Sequence, residues 1–182
     1  MIVCAGASEQ FDFALPVGVG MVESAMNLTR LCLLDKPEYI LFVGSAGSYG
    51  EYNIFDIVES RGAAQIELSF LQGKSHSVLD NVITSEFEGV SHETIINSSN
   101  YISLDAELVQ NLKPHNIGLE NMEFFSVLRV AQEFEIPVAG IFVVSNYCHK
   151  DAHVDFLKNH TEAKLKLENY VKKHIIKHKS ET

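Results

Sequence analysis

Three short runs of this chain combine residue types that can hold a small polar ligand. Asn121-Met122-Glu123 opens a predicted helix, Ser145-Asn146 closes the apolar run Val143-Val144, and Gly44-Ser45-Ala46-Gly47 follows another apolar run. Groups at the carboxyl ends of parallel strands converge on ligands there. The glycines flanking Ser45 and Ala46 let backbone amides approach a ligand, or else form a plain strand-to-loop turn. Glu123 is either an exposed first-turn acid favoured by the helix dipole, or a buried carboxylate that needs a ligand or a cation. Tyr101-Ile102 ends the turn-forming run Asn97-Ser98-Ser99-Asn100 and offers a face for stacking, or a core or rim tyrosine. Asn146 cannot be a general acid, but its amide supplies one acceptor and two donor hydrogens. Gly18-Val19-Gly20 looks like the start of a dinucleotide fingerprint, yet the third glycine position falls on Glu23, whose carboxylate opposes a pyrophosphate. Cys148, His149 and His153 lie in a predicted loop with no Cys-x-x-Cys partner, so no metal is expected.

A sheet must position these residues. Residues 1–5 read as a short buried strand ended by Gly6, and 13–17 as another ended by Gly18. A helix is predicted over 21–34, with Met21, Ala25, Leu28 and Cys32 on one stripe and Val22, Met26 and Leu33 widening it, stopped by Pro37. Strands are predicted at 39–43, 54–60, 64–71, 93–96 and 117–119, while 72–89 is polar and irregular. Residues 104–112 read as a short helix ended by Pro114. Asn121 can cap the next helix, which carries Met122, Phe125, Val127, Leu128, Ala131 and Phe134 and stops before Pro137. The strand 138–144 precedes a long amphipathic helix over 154–178, with Phe156, Leu157, Leu165, Leu167, Val171 and Ile175 as its apolar positions. With no repeat and no linker, the alternation of strands and helices predicts one α/β domain around a mainly parallel sheet.

Composition excludes several function classes. At 182 residues, 46% apolar and 21% charged, the chain can bury a continuous core without disulfides. A net charge of -10 argues against nucleic acid as the partner, because phosphate binding needs a basic surface. Lys158, Lys164, Lys166, Lys172, Lys173, Lys177 and Lys179 make up half of the 14 Lys and Arg residues, and read as a solvated helix face near its negative dipole end. Cys4 and Cys32 read as reduced core residues. The longest clean apolar run, 138–144, is far shorter than the ~20 residues that span a bilayer. The first residues lack a signal peptide's basic start, so a cytoplasmic protein with no membrane partner is expected.

In order and spacing, Gly44-Ser45-Ala46-Gly47, Met122-Glu123 and Ser145-Asn146 resemble the purine nucleoside phosphorylase and methylthioadenosine/S-adenosylhomocysteine nucleosidase superfamily, whose pattern reads Gly-Ser-Ala-Gly, Met-Glu, Ser-Asp. Gly18-Val19-Gly20-Met21-Val22 matches its Gly-x-Gly-Lys-Val-like turn, and Asp56-Ile57-Val58 its Gly-Asp-Val-Val, with Phe55 in place of the glycine. The resemblance implies a single three-layer α/β domain over residues 1–182, with a central, mostly parallel, twisted mixed sheet flanked by helices. It implies cleavage of the N-glycosidic bond of a small purine or related nucleoside, by water or by phosphate. No cofactor is implied beyond phosphate as co-substrate of a phosphorylase, and a homodimer or higher homo-oligomer is implied because relatives complete the nucleoside's 5' end with a neighbour's residues.

By the same resemblance Met122 backs the sugar and Glu123 accepts bonds from ribose hydroxyls, while Ser45, Ala46 and Gly47 border the ribose or the nucleophile. Tyr101 stacks on the purine and the Ile102 backbone reads its edge. Ser145, Asn146, His153 and Phe156 track the family's Ser-Asp segment without a gap. Adenine-cleaving relatives carry an Asp general acid where Asn146 stands; futalosine hydrolases and the trimeric phosphorylases for inosine and guanosine likewise use Asn, which implies a 6-oxopurine. The front of the chain departs from the family. Only about a dozen residues separate Gly6 from Gly18, where relatives insert a helix and a strand. The nucleosidases' water-activating Glu aligns with Phe11, leaving Glu9 as the local candidate base. Phosphorylases hold phosphate with an arginine near the first turn, a position that none of Arg30, Arg61 and Arg129 occupies. A catalytically silent nucleoside-binding or assembly protein on the same fold is therefore the alternative.

Overall fold

The computed structural model describes residues 1–176. Its first half contains β1 (Ile2–Cys4), β2 (Leu15–Pro16), α1 (Met21–Leu34), β3 (Ile40–Ser48), β4 (Ile57–Ser60), β5 (Gly62–Ala64), α2 (Leu68–Leu71) and β6 (Val82–Thr84). Then follow β7 (Ile95–Ser98), a 3-10 helix (Leu108–His115), β8 (Ile117–Asn121), α3 (Phe124–Glu133), β9 (Val138–Tyr147) and α4 (Ala152–Val171), whose last residues continue as a π-helical turn.

β3 and β9 form the centre because both are near-continuous apolar runs, the pattern of parallel strands covered on both faces. They pair in parallel from Ile40 and Val138 to Ser48 and Tyr147. β1 and then β2 extend the sheet in parallel beyond β3. β8 joins the carboxyl end of β3 antiparallel at Gly47 and Ser48, and leads on to β7, β5 and β6; β4 runs antiparallel to β9. Alternate residues of the central strands face opposite layers. Phe42 and Phe142 meet Leu28 and Cys32 of α1 and Phe124, Val127 and Leu128 of α3, with the three phenylalanine rings 5.0 to 5.9 Å apart. Leu41, Val43, Ile141 and Val143 face the other way, onto Ala163, Leu167 and Val171 of α4. The fold is thus a single α/β domain with a mixed central sheet between helical layers.

Several elements differ from their predicted form. The run 44–47 is not a turn: β3 continues through it, with a register break between Ala46 and Gly47. The strand predicted at 13–17 shrinks to Leu15–Pro16, and that at 64–71 ends at Ala64, with α2 after it. The irregular stretch contributes β6, which finds its partner in β5. The helix predicted at 104–112 forms four residues later as a 3-10 helix that runs through Pro114, the expected stop, to His115. In α4, Leu157 and Leu165 are exposed, and Ala152 and Ala163 take the buried face instead. The predicted end of that helix at 177–178, with Lys177 and Lys179, lies outside the described residues. Phe55 adopts a left-handed φ of 75°, the conformation that suits the family's glycine; its ring is held under Lys166 Nζ at 4.6 Å. Among the described residues no helix is long and apolar enough to cross a membrane.

Candidate active site

The carboxyl ends of β1, β3, β7, β8 and β9 meet around a cavity of about 350 Å³. All eleven residues singled out from the sequence as catalytic or substrate-binding line it. The register break in β3 makes this possible. A Cβ at Gly47 would lie 2.8 Å from Cys148 Sγ and 3.0 Å from Asn146 Nδ2, so only glycine lets the ends of β3 and β9 close on one another. Ser45, Ala46 and Gly47 are the floor thus formed.

Glu123 is the buried carboxylate of the two alternatives, at 3% exposure. Its Oε1 accepts the Gly20 N–H at 2.8 Å, which the positive φ of 83° at Gly20 aims inward. Burial pushes the carboxyl up to about 7, and the charge of Glu9 adds to the rise. The Gly18-Val19-Gly20 turn therefore serves a carboxylate and not a pyrophosphate. The N-cap position of α3 is Glu123 and not the expected Asn121, which ends β8 two residues earlier; its Oδ1 nonetheless accepts the N–H groups of Glu123 and Phe124, both at 2.9 Å. Its Nδ2 donates to the Ser45 carbonyl at 3.0 Å, tying the helix entrance to β3. Met122, between these two residues, lines the cavity.

Glu9 enters from the loop that links β1 to β2. That loop tightens through the Glu9 N–H to Gly6 carbonyl bond of 2.9 Å and a positive φ at Ala7. The Glu9 carboxylate accepts the Ser45 hydroxyl, and the Ser45 N–H lies 3.3 Å from both its oxygens. Phe11, aligned with the relatives' acid, packs instead with Leu41 and Val43 and stacks on Phe13 at 5.3 Å.

At the opposite end, Asn146 is 7% exposed. Its Oδ1 accepts the Ser145 hydroxyl at 2.9 Å and its Nδ2 donates to the Tyr147 carbonyl at 3.2 Å, which leaves one amide hydrogen and one lone pair for a ligand. Tyr101 and Ile102 stand exposed at the rim, and the Tyr101 N–H donates to Ser99 Oγ at 3.1 Å. From α4, the stacked rings of His153 and Phe156 close the far side. Of the lining residues that were not singled out from the sequence, one carries a carboxylate. Glu120 is buried on β8, its Oε1 accepting the Ser103 N–H at 2.9 Å and its Oε2 the Tyr49 hydroxyl at 3.1 Å. The available signal was an acid directly after the apolar strand 117–119, which continues to Asn121 and so carries Glu120 into the cavity wall.

Among the described residues no Lys or Arg lines the cavity. Arg30, Arg61 and Arg129 bond elsewhere, to Asn27, the Phe87 carbonyl and Gln132. Cys148 is buried behind Gly47, where desolvation and then the charge of Glu120 raise its thiol pKa. His149 Nε2 lies 3.2 Å from Asp155.

The model of the phosphorylase superfamily matches residues 2–176. The chain belongs to that superfamily. Within the phosphorylase superfamily it is similar to the 5'-methylthioadenosine/S-adenosylhomocysteine nucleosidase of Listeria innocua, 28% identical over 167 residues, covering 78% of this chain and 71% of the relative. The Bacillus subtilis protein of the same name is 26% identical over 165 residues, with the same coverage of 78% and 71%. Among solved structures, a Helicobacter pylori futalosine hydrolase mutant superposes with a TM-score of 0.79 at 16% identity, covering 97% of each chain. A Helicobacter pylori nucleosidase mutant with 5'-methylthioadenosine in its active site gives 0.76 at 18% identity, covering 90% of this chain and 79% of that one. At these identities the superpositions establish the fold of the phosphorylase superfamily.

Proposed function

We propose that the protein hydrolyses the N-glycosidic bond of a purine nucleoside, with a 6-oxopurine as preferred base. The observation that carries this reading is the convergence of two carboxylates and one amide, Glu9, Glu123 and Asn146, on one cavity. Ribose hydroxyls supply donors to a Glu123 carboxylate whose burial leaves it short of them, and those bonds strengthen as positive charge builds on the sugar. Glu9 takes a proton from water as the water oxygen attacks C1'. The C1'–N9 bond breaks and its electron pair leaves with the purine. Asn146 stabilises the departing base by donating its remaining amide hydrogen. A 6-oxopurine spreads charge onto O6, which accepts that hydrogen; the amino group of adenine leaves the same donor unpaired, at a cost of roughly 1 to 3 kcal/mol. Tyr101 supplies a stacking face at the rim.

Water is favoured over phosphate because a bound phosphate needs cationic partners and no Lys or Arg among the described residues lines the cavity. The nucleosidase names of the relatives point the same way. We also read the protein as a homo-oligomer. Val22, Met26 and Leu33 form an exposed stripe on α1, beside Val19 at the cavity mouth, where a second copy would complete the site.

Purified protein incubated with inosine, futalosine and methylthioadenosine is expected to release free base at equal rates with and without phosphate, and fastest from the two hypoxanthine nucleosides. Sugar 1-phosphate formed only when phosphate is added would make it a phosphorylase. Nucleoside binding without release would make it the silent binding protein.

A further inference from the structure

Two successive residues of α4 reach opposite sides of the cavity. Asn159 Nδ2 donates to the carbonyl of Ser145, the residue before Asn146, at 2.9 Å. His160 Nε2 lies 3.0 Å from the carbonyl of Ser8, the residue before Glu9. A carbonyl only accepts, so Nε2 carries the hydrogen of this bond, and the imidazole can donate it in either its neutral or its charged form. The His160 ring packs 5.0 Å from that of Phe156, which lies one turn earlier on α4 and lines the cavity. The helix and a ring of the site itself thus aim the imidazole at the loop.

The loop between β1 and β2 shows why that bond matters. Its ends are seated on the sheet: Phe11 is buried against Leu41 and Val43, and the backbone of Gly6 and of Phe11 hydrogen-bonds the Cys4 sulfur. Lys164, one turn after His160, stands 5.5 Å over the Phe11 ring. Between these ends Ala7, Ser8 and Gln10 are exposed, and Ala7 has a left-handed φ of 52°, which an L-residue keeps only where its surroundings hold it. The Ser8 carbonyl and the Glu9 N–H are the two ends of one planar peptide unit. Gly6 accepts the N–H from within the loop at 2.9 Å, and His160 bonds the carbonyl from outside it. With both ends bonded the plane cannot turn, which fixes the direction in which the Glu9 side chain leaves the backbone toward Ser45.

We propose that His160 is a positioning residue: by holding the Ser8 carbonyl it sets the place of the Glu9 carboxylate relative to Asn146, whose strand the preceding residue of α4 holds. The inference rests on the reading of Glu9 as the base of a hydrolysis, and goes beyond it to what fixes that base. No helix follows β1 to stiffen the loop, so a tie from a neighbouring element takes that part. Its effect falls on the chemical step and not on the hold of the purine, because displacing a reacting group by about 1 Å costs up to about a hundredfold in rate.

Two variants separate the bond from the packing. His160→Leu keeps an apolar contact with Phe156 and removes the donor, whereas His160→Gln keeps an N–H donor. In amide exchange read residue by residue by NMR, the Glu9 N–H is expected to exchange about tenfold or more faster in His160→Leu than in the wild type, while amides of β3 and β9 keep their rates. With inosine, kcat is expected to fall about ten- to a hundredfold in His160→Leu at unchanged Kd for free hypoxanthine, and to return to within about threefold of the wild type in His160→Gln. In the wild type at pH 8 the imidazole nitrogen shifts should place the hydrogen on Nε2, a measurement that needs no variant. A hydrogen on Nδ1 instead would overturn the assignment, as would a wild-type Glu9 exchange rate in folded His160→Leu, a hypoxanthine affinity that falls together with kcat, or a His160→Gln protein as slow as His160→Leu. Wild-type protein that releases no base from any nucleoside would remove the hydrolysis reading, and the exchange rates would still decide whether His160 holds the loop.

Discussion

Glu123 sets burial against charge, and pH reports the balance. Its carboxyl titrates near 7 in the folded protein against an ordinary 4.5, because desolvation opposes its charged form. Between those values the folded chain holds a proton that the unfolded chain has lost. The contribution of this group to stability is therefore full below pH 4.5 and is lost as pH rises through 7, by roughly 3 kcal/mol in total. Glu123→Gln keeps an acceptor for the Gly20 N–H and has no charge to bury. In urea unfolding it is expected to exceed the wild type by roughly 1 to 3 kcal/mol at pH 8 and to match it near pH 4.5, while base release falls about a hundredfold or more. Equal stability at pH 8 would show that the carboxylate is already satisfied without ligand. At this scale the sequence was readable where a motif fixed both identity and neighbours, as for Met122-Glu123 and Ser145-Asn146. Glu120 escaped because the strand bearing it was expected to end one residue earlier. Glu9 was separable from Phe11 only by which of the two faces the core, a matter of loop geometry that no residue pattern encodes.

The elements were legible to the degree that their apolar period was long. α1 runs over the predicted residues, β9 contains its predicted apolar run and β3 all of its own but Tyr39, because a helical stripe and two all-apolar strands leave little ambiguity. Short segments did not resolve: residues 68–71 form one helical turn where apolar residues had suggested a strand, and β6 exists because β5 offers it an edge. The extension of β3 through Gly44-Ser45-Ala46-Gly47 matters most for the site, since glycines that normally punctuate a chain here admit neighbouring strands. Gly47→Ala should make this visible. Its Cβ would meet Cys148 Sγ at 2.8 Å and Asn146 Nδ2 at 3.0 Å, neither of which can move without leaving buried surroundings. The expected cost is about 1 to 3 kcal/mol in urea unfolding, together with loss of hypoxanthine affinity as the Asn146 amide is pushed from its place. Unchanged affinity would mean that Asn146 does not read the base from the position it occupies. The front of the fold shows a different economy. A parallel pair ordinarily needs a long crossover, usually helical, yet β1 and β2 are joined by a turn-rich loop that spends its length on delivering Glu9 to Ser45.

At the scale of the whole molecule, the layered α/β fold followed from the alternation of strands and helices, but what covers the outer face of α1 did not. Met21, Ala25, Leu28 and Cys32 had been expected inward with Val22, Met26 and Leu33 widening the same arc. Folding instead buries Ser24, Leu28 and Cys32 and leaves Val22, Met26 and Leu33 at 65%, 52% and 71% exposure. Their spacing of four and seven residues keeps them on one line along the helix. The sheet and α3 already occupy the opposite side, so among the described residues of a lone molecule no element is left to cover that line. Electrostatics sets a limit on how a second copy docks, because two chains of charge -10 repel and association must be driven by apolar contact. Sedimentation at micromolar concentration is expected to give twice the 20.3 kDa of one chain, and the Val22→Glu, Met26→Glu double variant to give one chain. Since Val19 borders both the stripe and the cavity, the variant should keep its affinity for free hypoxanthine and lose affinity for the intact nucleoside, whose 5' end the proposed binding mode sets at the mouth. An active wild-type monomer of 20.3 kDa would show that the mouth is complete within one chain and that the α1 stripe serves another purpose.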